Sequence, residues 1–252
     1  MKKAFISLVL TMMTGLVYAA TGGVHLDSFT PDANDKVSMQ EGLRTFMDYC
    51  AGCHSLGYAR YNRVARDLDI PEDIFMDNIV FADGARFGDL MHFSMATADG
   101  KKWFGAPPPD LTNVTRVRGA DWVYTYLRSF YADDSRPWGV NNSVFPGVGM
   151  PHVLLPLQGL CASAPHHSGK SEYDPLTGRE MHEGSCEVQA VEGTLNEEEF
   201  DEVVYNLVNF LDYMGEPYKS DRKRLGWYVF AFLVVLFIPA VLLQRELHKD
   251  IH

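Results

Sequence analysis

Cys50-Ala51-Gly52-Cys53-His54 decides how this chain is read. Two thiols three positions apart, with an imidazole directly after the second, form the attachment pattern of a c-type haem. On one helical turn both sulfurs reach a haem vinyl group and form thioethers, and the next side chain lies beneath the ring as an iron ligand. A CxxC pair also serves as a zinc half-site or a thioredoxin-like dithiol. Zinc asks for a second Cys/His pair at ligand spacing, and a redox dithiol has no need of the trailing His54. The pentapeptide therefore predicts one covalently bound haem c, held by Cys50 and Cys53 with His54 as ligand.

Working outward, Ser38-Met39-Gln40-Glu41 has the form of a capping box, and Leu43, Phe46, Met47 and Cys50 follow as the buried stripe of a helix that delivers the motif. Gly100 to Pro109 is Gly/Pro-rich, Asp121 to Tyr131 reads as a helix, and Val144 to Pro156 reads as loop. Further on, Asn196 and Glu199 make a second capping box. Phe200, Val203, Val204, Leu207, Val208, Leu211 and Met214 then repeat at helical spacing until Gly215-Glu216-Pro217 stops the run. Strand signals are weak, and neither an internal repeat nor a second CxxCH appears. The expected fold is all-α: a class I cytochrome c-like haem domain with long loops, over residues 20–220.

Residues 1–19 read as a secretory signal, with Lys2 and Lys3, an apolar run from Ala4 to Tyr18 and the small-residue pattern Val17-Tyr18-Ala19. An uncleaved anchor is the alternative, for which the run is short. Residues 225–243 carry no charge and are rich in Val, Leu, Phe and Ile. At 1.5 Å per residue they span roughly 28 Å, one crossing of a bilayer core. Trp227 and Tyr228 suit an interfacial belt. Lys219, Arg222, Lys223 and Arg224 precede the span while Arg245 and Lys249 follow it, so the positive-inside rule alone would put the large domain in the cytoplasm. The signal and the haem motif overrule it. They place residues 20–220 in the periplasm of a bacterium, a single pass in the inner membrane, and 244–252 as a cytoplasmic tail.

The chain has a net charge of −11, and residues 20–218 carry 14 Lys/Arg against 30 Asp/Glu, a net of −16. Nucleic acid is excluded as a partner by that sign, whereas a basic protein would be steered towards it. The densest acidic run, Glu197 to Glu202, has a local use at the positive end of a helix dipole. Cys161 and Cys186, the two cysteines outside the haem motif, are an even pair in an oxidising compartment and are expected to form a disulfide.

A six-coordinate electron-transfer haem needs a second axial ligand. Met39 and Met47 lie on the motif's own helix, and Met76, Met91 and Met95 fall in stripes where packing is the commoner use of methionine. Met150 lies in Pro146-Gly147-Val148-Gly149-Met150-Pro151, a stiff, tightly turning segment without hydrophobic periodicity, and is the favoured ligand. His152, His92, His166, His167 and His182 are the alternatives.

Taken together, Cys-Ala-Gly-Cys-His-Ser-Leu at 50–56, Tyr58, Tyr61, Pro108-Pro109-Asp110-Leu111, Phe145-Pro146-Gly147 leading to Met150, and Glu216-Pro217 before Arg222-Lys223-Arg224-Leu225-Gly226 resemble the cytochrome c1 family. That family supplies the haem subunit of the cytochrome bc1 complex. The resemblance implies His54 and Met150 as axial ligands, Arg118 beside a haem propionate, Trp122 against the haem, and a carbonyl of Pro108 or Pro109 orienting His54. It also implies relay of single electrons from a Rieske iron-sulfur protein to a basic periplasmic cytochrome c, with a cytochrome b subunit beside the anchor, in a dimer of complexes. Residues 157–192 look like an insertion to which no family role carries over. A haem peroxidase-like enzyme, or an anchored cytochrome serving another oxidase or reductase, is the rival reading.

Overall fold

A computed structural model describes residues 25–81, 84–92, 95–165, 171–173, 180–182, 186 and 188–249. The expected signal at 1–19, His166, His167 and the end of the tail lie outside the described residues. The helices are α1 Lys36–Tyr49, α2 Tyr61–Asp67, α3 Glu72–Ile79, α4 Thr97–Phe104, α5 Val114–Arg118, α6 Ala120–Arg128, α7 Leu155–Gln158, α8 Glu197–Gly215 and α9 Lys219–Leu247. Among them run β1 Leu56–Arg60, β2 Leu90–Met91, β3 Phe130–Ala132, β4 Val140–Asn142, β5 Gly159–Cys161, β6 Ser171–Tyr173, β7 Glu180–His182 and β8 Gln189–Glu192.

The main core forms where α1 crosses α8. Met39, Leu43, Phe46 and Met47 on α1 are buried, as are Phe200, Val204, Leu207, Val208, Leu211 and Met214 on α8, so each helix commits one stripe to the other. Burying a side chain of this size contributes about 1.5–3 kcal/mol. Backbones meet at Gly42, where an added Cβ would lie 2.0 Å from the Asn206 carbonyl oxygen. No other residue fits that crossing without separating the helices. The α8 capping box is present, with Asn196 accepting from the Glu199 N–H at 3.0 Å and Glu199 accepting from the Asn196 N–H at 3.0 Å. α1 starts earlier than its Ser38 signal: Asp35 is the cap and accepts from the Ser38 N–H at 2.9 Å. Ser38 is instead buried inside the helix, where its Oγ accepts from Asn209 at 3.1 Å.

The all-α expectation needs correction. A four-stranded sheet, in the order β4-β3-β5-β8, has β3 antiparallel to β4 and parallel to β5, with β5 antiparallel to β8. These strands run three or four residues, too short for an alternating pattern to show in the sequence. The sheet carries a second hydrophobic cluster of Phe130, Val140, Val148 and Leu160, against which Tyr126, Met150 and Leu155 pack. A disulfide joins Cys161 at the end of β5 to Cys186. Mostly helical, with this sheet to one side, is the accurate description.

Arg128 ties the parts together. Buried at the end of α6, it donates to Asp27 of the N-terminal segment at 2.6 Å and to both carboxylate oxygens of Asp201 on α8 at 2.7 and 2.9 Å. Only Glu216, Pro217 and Tyr218 separate α8 from α9. Around that joint Lys219 pairs with Asp212 at 2.7 Å, Arg222 with Glu216, and Arg63 with both Asp67 and the Tyr218 hydroxyl. Tyr213 adds a hydrogen bond to Asp67 at 2.9 Å. α9 contains the 225–243 stretch, has a mean hydropathy of 2.5 over its most apolar window, and is not buried against the other described residues.

Candidate haem site

α1 hands the chain directly to the haem motif. The Cys53 and His54 N–H groups both return to the Cys50 carbonyl, at 3.0 and 2.8 Å, so the pentapeptide closes one further turn. Cys50 and Cys53 are free thiols, the first buried and the second half-buried. Burial, with the neighbouring Cys53, pushes the Cys50 thiol up to about 12, so it stays protonated.

His54 is set by the next segment. Its Nδ1 donates to the Pro109 carbonyl at 2.7 Å, which leaves Nε2 as the ring's lone-pair donor. Burial holds the imidazole below its ordinary pKa, opposed by the Pro109 bond and by Asp110, so the ring is neutral near pH 7, the form a metal needs. The 109–112 segment is fastened in place by Asp110, which accepts from the Gly57 N–H at 2.7 Å, and by the Leu111 N–H, which donates to the Ser55 carbonyl at 2.9 Å. Pro108 lies elsewhere, with its Cδ against Gly100, so of the two prolines it is Pro109 that meets His54.

From there α5 and α6 carry a row of side chains towards Met150. The Arg118 guanidinium sits 5.0 Å over the Trp122 ring and 5.8 Å over Phe145. Among the described residues it forms no ion pair with a carboxylate. Trp122 stacks on Tyr126 at 4.9 Å with 9° between the planes. Tyr126 in turn donates its hydroxyl to the Met150 Sδ at 3.4 Å. Burial raises the Tyr126 phenol well above its ordinary range.

The loop bearing Met150 is held by polar side chains. Asn142 accepts from the Val144 and Phe145 N–H groups at 3.0 and 3.1 Å and donates to the Tyr126 carbonyl at 2.8 Å. Asn141 accepts from Gly147 N–H at 2.8 Å, and Arg136 donates to the Gly147 carbonyl at 2.7 Å. Gly147 has φ +80°, a conformation open to glycine. Gly149 passes so near α4 that a Cβ there would lie 2.9 Å from the Phe104 carbonyl oxygen.

The other ligand candidates have other surroundings. Met39, Met47 and Met91 are buried in the main core. His152 is buried and stacked on Phe130 at 4.7 Å, bonded through Nε2 to the Gly159 carbonyl, and held down at about 4 by burial. His92 is exposed, against Gly57. Sequence reading missed Tyr126, Asn141, Asn142 and Arg136. Tyr126 had one available signal, its place four residues after Trp122 on a single helical face.

No protein-family model matches the chain. Cytochrome c1 of Allochromatium vinosum is 47% identical over 253 residues, covering 100% of this chain and 100% of its own. The chain belongs to the cytochrome c1 family. A Nitrosomonas europaea protein named ammonia monooxygenase gamma subunit is 38% identical, covering 98% of each chain. Among solved structures, a hyperthermophilic respiratory Complex III chain matches 100% of this chain and 98% of its own at 17% identity and a TM-score of 0.44, a likeness that carries no weight on the fold. Family membership makes the chain an electron-transfer haem subunit of the bc1 complex, with one covalently bound haem c and a single-pass anchor in the inner membrane.

The residues present fit that group. A one-turn pair of free thiols, a neutral imidazole with Nε2 spare, a guanidinium on an aromatic face with no carboxylate partner among the described residues, and a half-buried thioether are the groups that would supply attachment, ligation and charge pairing.

Proposed function

We propose that His54 and Met150 are the axial ligands, that Cys50 and Cys53 carry the thioethers, and that Arg118 pairs with a propionate while Trp122 packs on the haem. The observation that supports this most is the 2.7 Å bond from His54 Nδ1 to Pro109, which fixes both the tautomer and the ring direction. Bound there, the haem supplies reversible one-electron chemistry, and His/Met ligation places its potential above that of two nitrogen ligands. The chain itself does little beyond holding: Pro109 steadies the imidazole, Asn142 and Arg136 steady the loop of Met150, and the Trp122-Tyr126 stack excludes water beside the thioether.

In this reading residues 1–19 are a cleaved signal, 20–220 a periplasmic haem domain, 225–243 the span and 244–252 a cytoplasmic tail. The electron arrives from a Rieske iron-sulfur protein and leaves to a basic periplasmic cytochrome c, drawn by the net −16 of residues 20–218. A cytochrome b subunit covers the bare flank of α9, within a dimer of complexes. One purification tests both halves: membranes expressing Met150→Leu should yield the chain together with cytochrome b and Rieske subunits, but without the weak near-infrared methionine-to-iron band. An unchanged band rejects Met150, and repeated isolation without those subunits rejects the partners.

A further inference from the structure

We propose that Tyr126 is a positioning residue that sets the reduction potential of this haem through its hydrogen bond to Met150, an inference that rests on the ligation reading above. A thioether sulfur has two lone pairs. Ligation uses one, and the Tyr126 hydroxyl, 3.4 Å from Sδ, takes the other. Two effects follow. The bond fixes which lone pair is free to face the iron, and it draws electron density off the sulfur. A poorer donor stabilises the oxidised metal less, so the potential rises.

The tyrosine is held as firmly as this role requires. Its ring is stacked on Trp122 and meets Phe130 edge-on at 5.4 Å, and its backbone carbonyl accepts from Asn142, the same side chain that shapes the loop before Met150. Hydroxyl and thioether are thus positioned by one common element. Packing alone asks for no hydroxyl here, since Tyr126 and Met150 both border an apolar cluster.

The experiment is a redox titration of the full, haem-loaded chain in its membrane complex, with the near-infrared band recorded alongside. Tyr126→Phe keeps both ring contacts and removes the donor, so the potential should fall by the equivalent of about a two- to fivefold shift in the equilibrium with a one-electron partner. A 3-fluorotyrosine placed at position 126 alone, a stronger donor of the same shape, should move it upward. A band present in every sample with three coincident potentials overturns the inference and leaves the ligation intact. A band missing from the unsubstituted protein overturns both. Should the Phe variant fail to take up haem, the fluorinated chain decides alone: an upward shift supports the role, and no shift overturns it.

Discussion

His54 follows a helix whose buried stripe runs into the main core, whereas Met150 rides on a loop held by two asparagines, an arginine and a sheet of three- and four-residue strands. The first region is built from long elements with local hydrogen bonds and extensive apolar burial. The second is built from polar side chains reaching across gaps, one disulfide and a small cluster of four buried hydrophobes. Cooperative unfolding tracks apolar burial, so the His54 side is the more resistant half, and the Met150 side is where the site should open first.

Three perturbations test this contrast. The largest effect is expected at Arg128, because Arg128→Ala leaves Asp27 and Asp201 facing a buried void. A loss of about 3–5 kcal/mol in denaturant unfolding is expected, felt by both regions, since the arginine joins them. A change confined to one region would show that the ion triad does not couple them. Next, replacing both Cys161 and Cys186 by Ser should cost about 3 kcal/mol in the loop-entropy picture. Here the methionine-to-iron band should disappear at lower denaturant than the helical signal, while haem remains covalently attached after denaturation. Coincident transitions would make the two regions a single unit. Smallest is Gly42→Ala, which forces α1 and α8 apart at their closest approach and should cost about 2 kcal/mol of helical stability, leaving the band's own midpoint no lower than that of the helices.

The same contrast explains what could be read from the sequence. The motif, the α8 stripe with its capping box and the membrane span are local, repeated signals, and each has a counterpart in the structure. Met150 stood out by lacking periodicity, yet the groups around it were not visible. Asn141 and Asn142 resemble ordinary turn residues until the chain brings Gly147 and Phe145 to them. The sheet was missed because β3 and β5 pair through one register position, Tyr131 with Cys161, 30 residues apart in the chain. Long-range pairing of such short strands leaves no trace in a window of neighbouring residues. The displaced start of α1 has a different cause: Asp35, Ser38 and Glu41 are all plausible capping residues, and burial of Ser38 against Asn209 decided between them.

The three-residue joint between α8 and α9 has a consequence for traffic through the complex. With Arg63, Tyr218, Lys219 and Arg222 clasping it from both sides, the joint has little angular play, and the haem domain stands on its anchor as a post, not as a swinging arm. The distance between haem and bilayer is then a fixed dimension. Any shuttling must be done by the protein that delivers the electron and the one that carries it away.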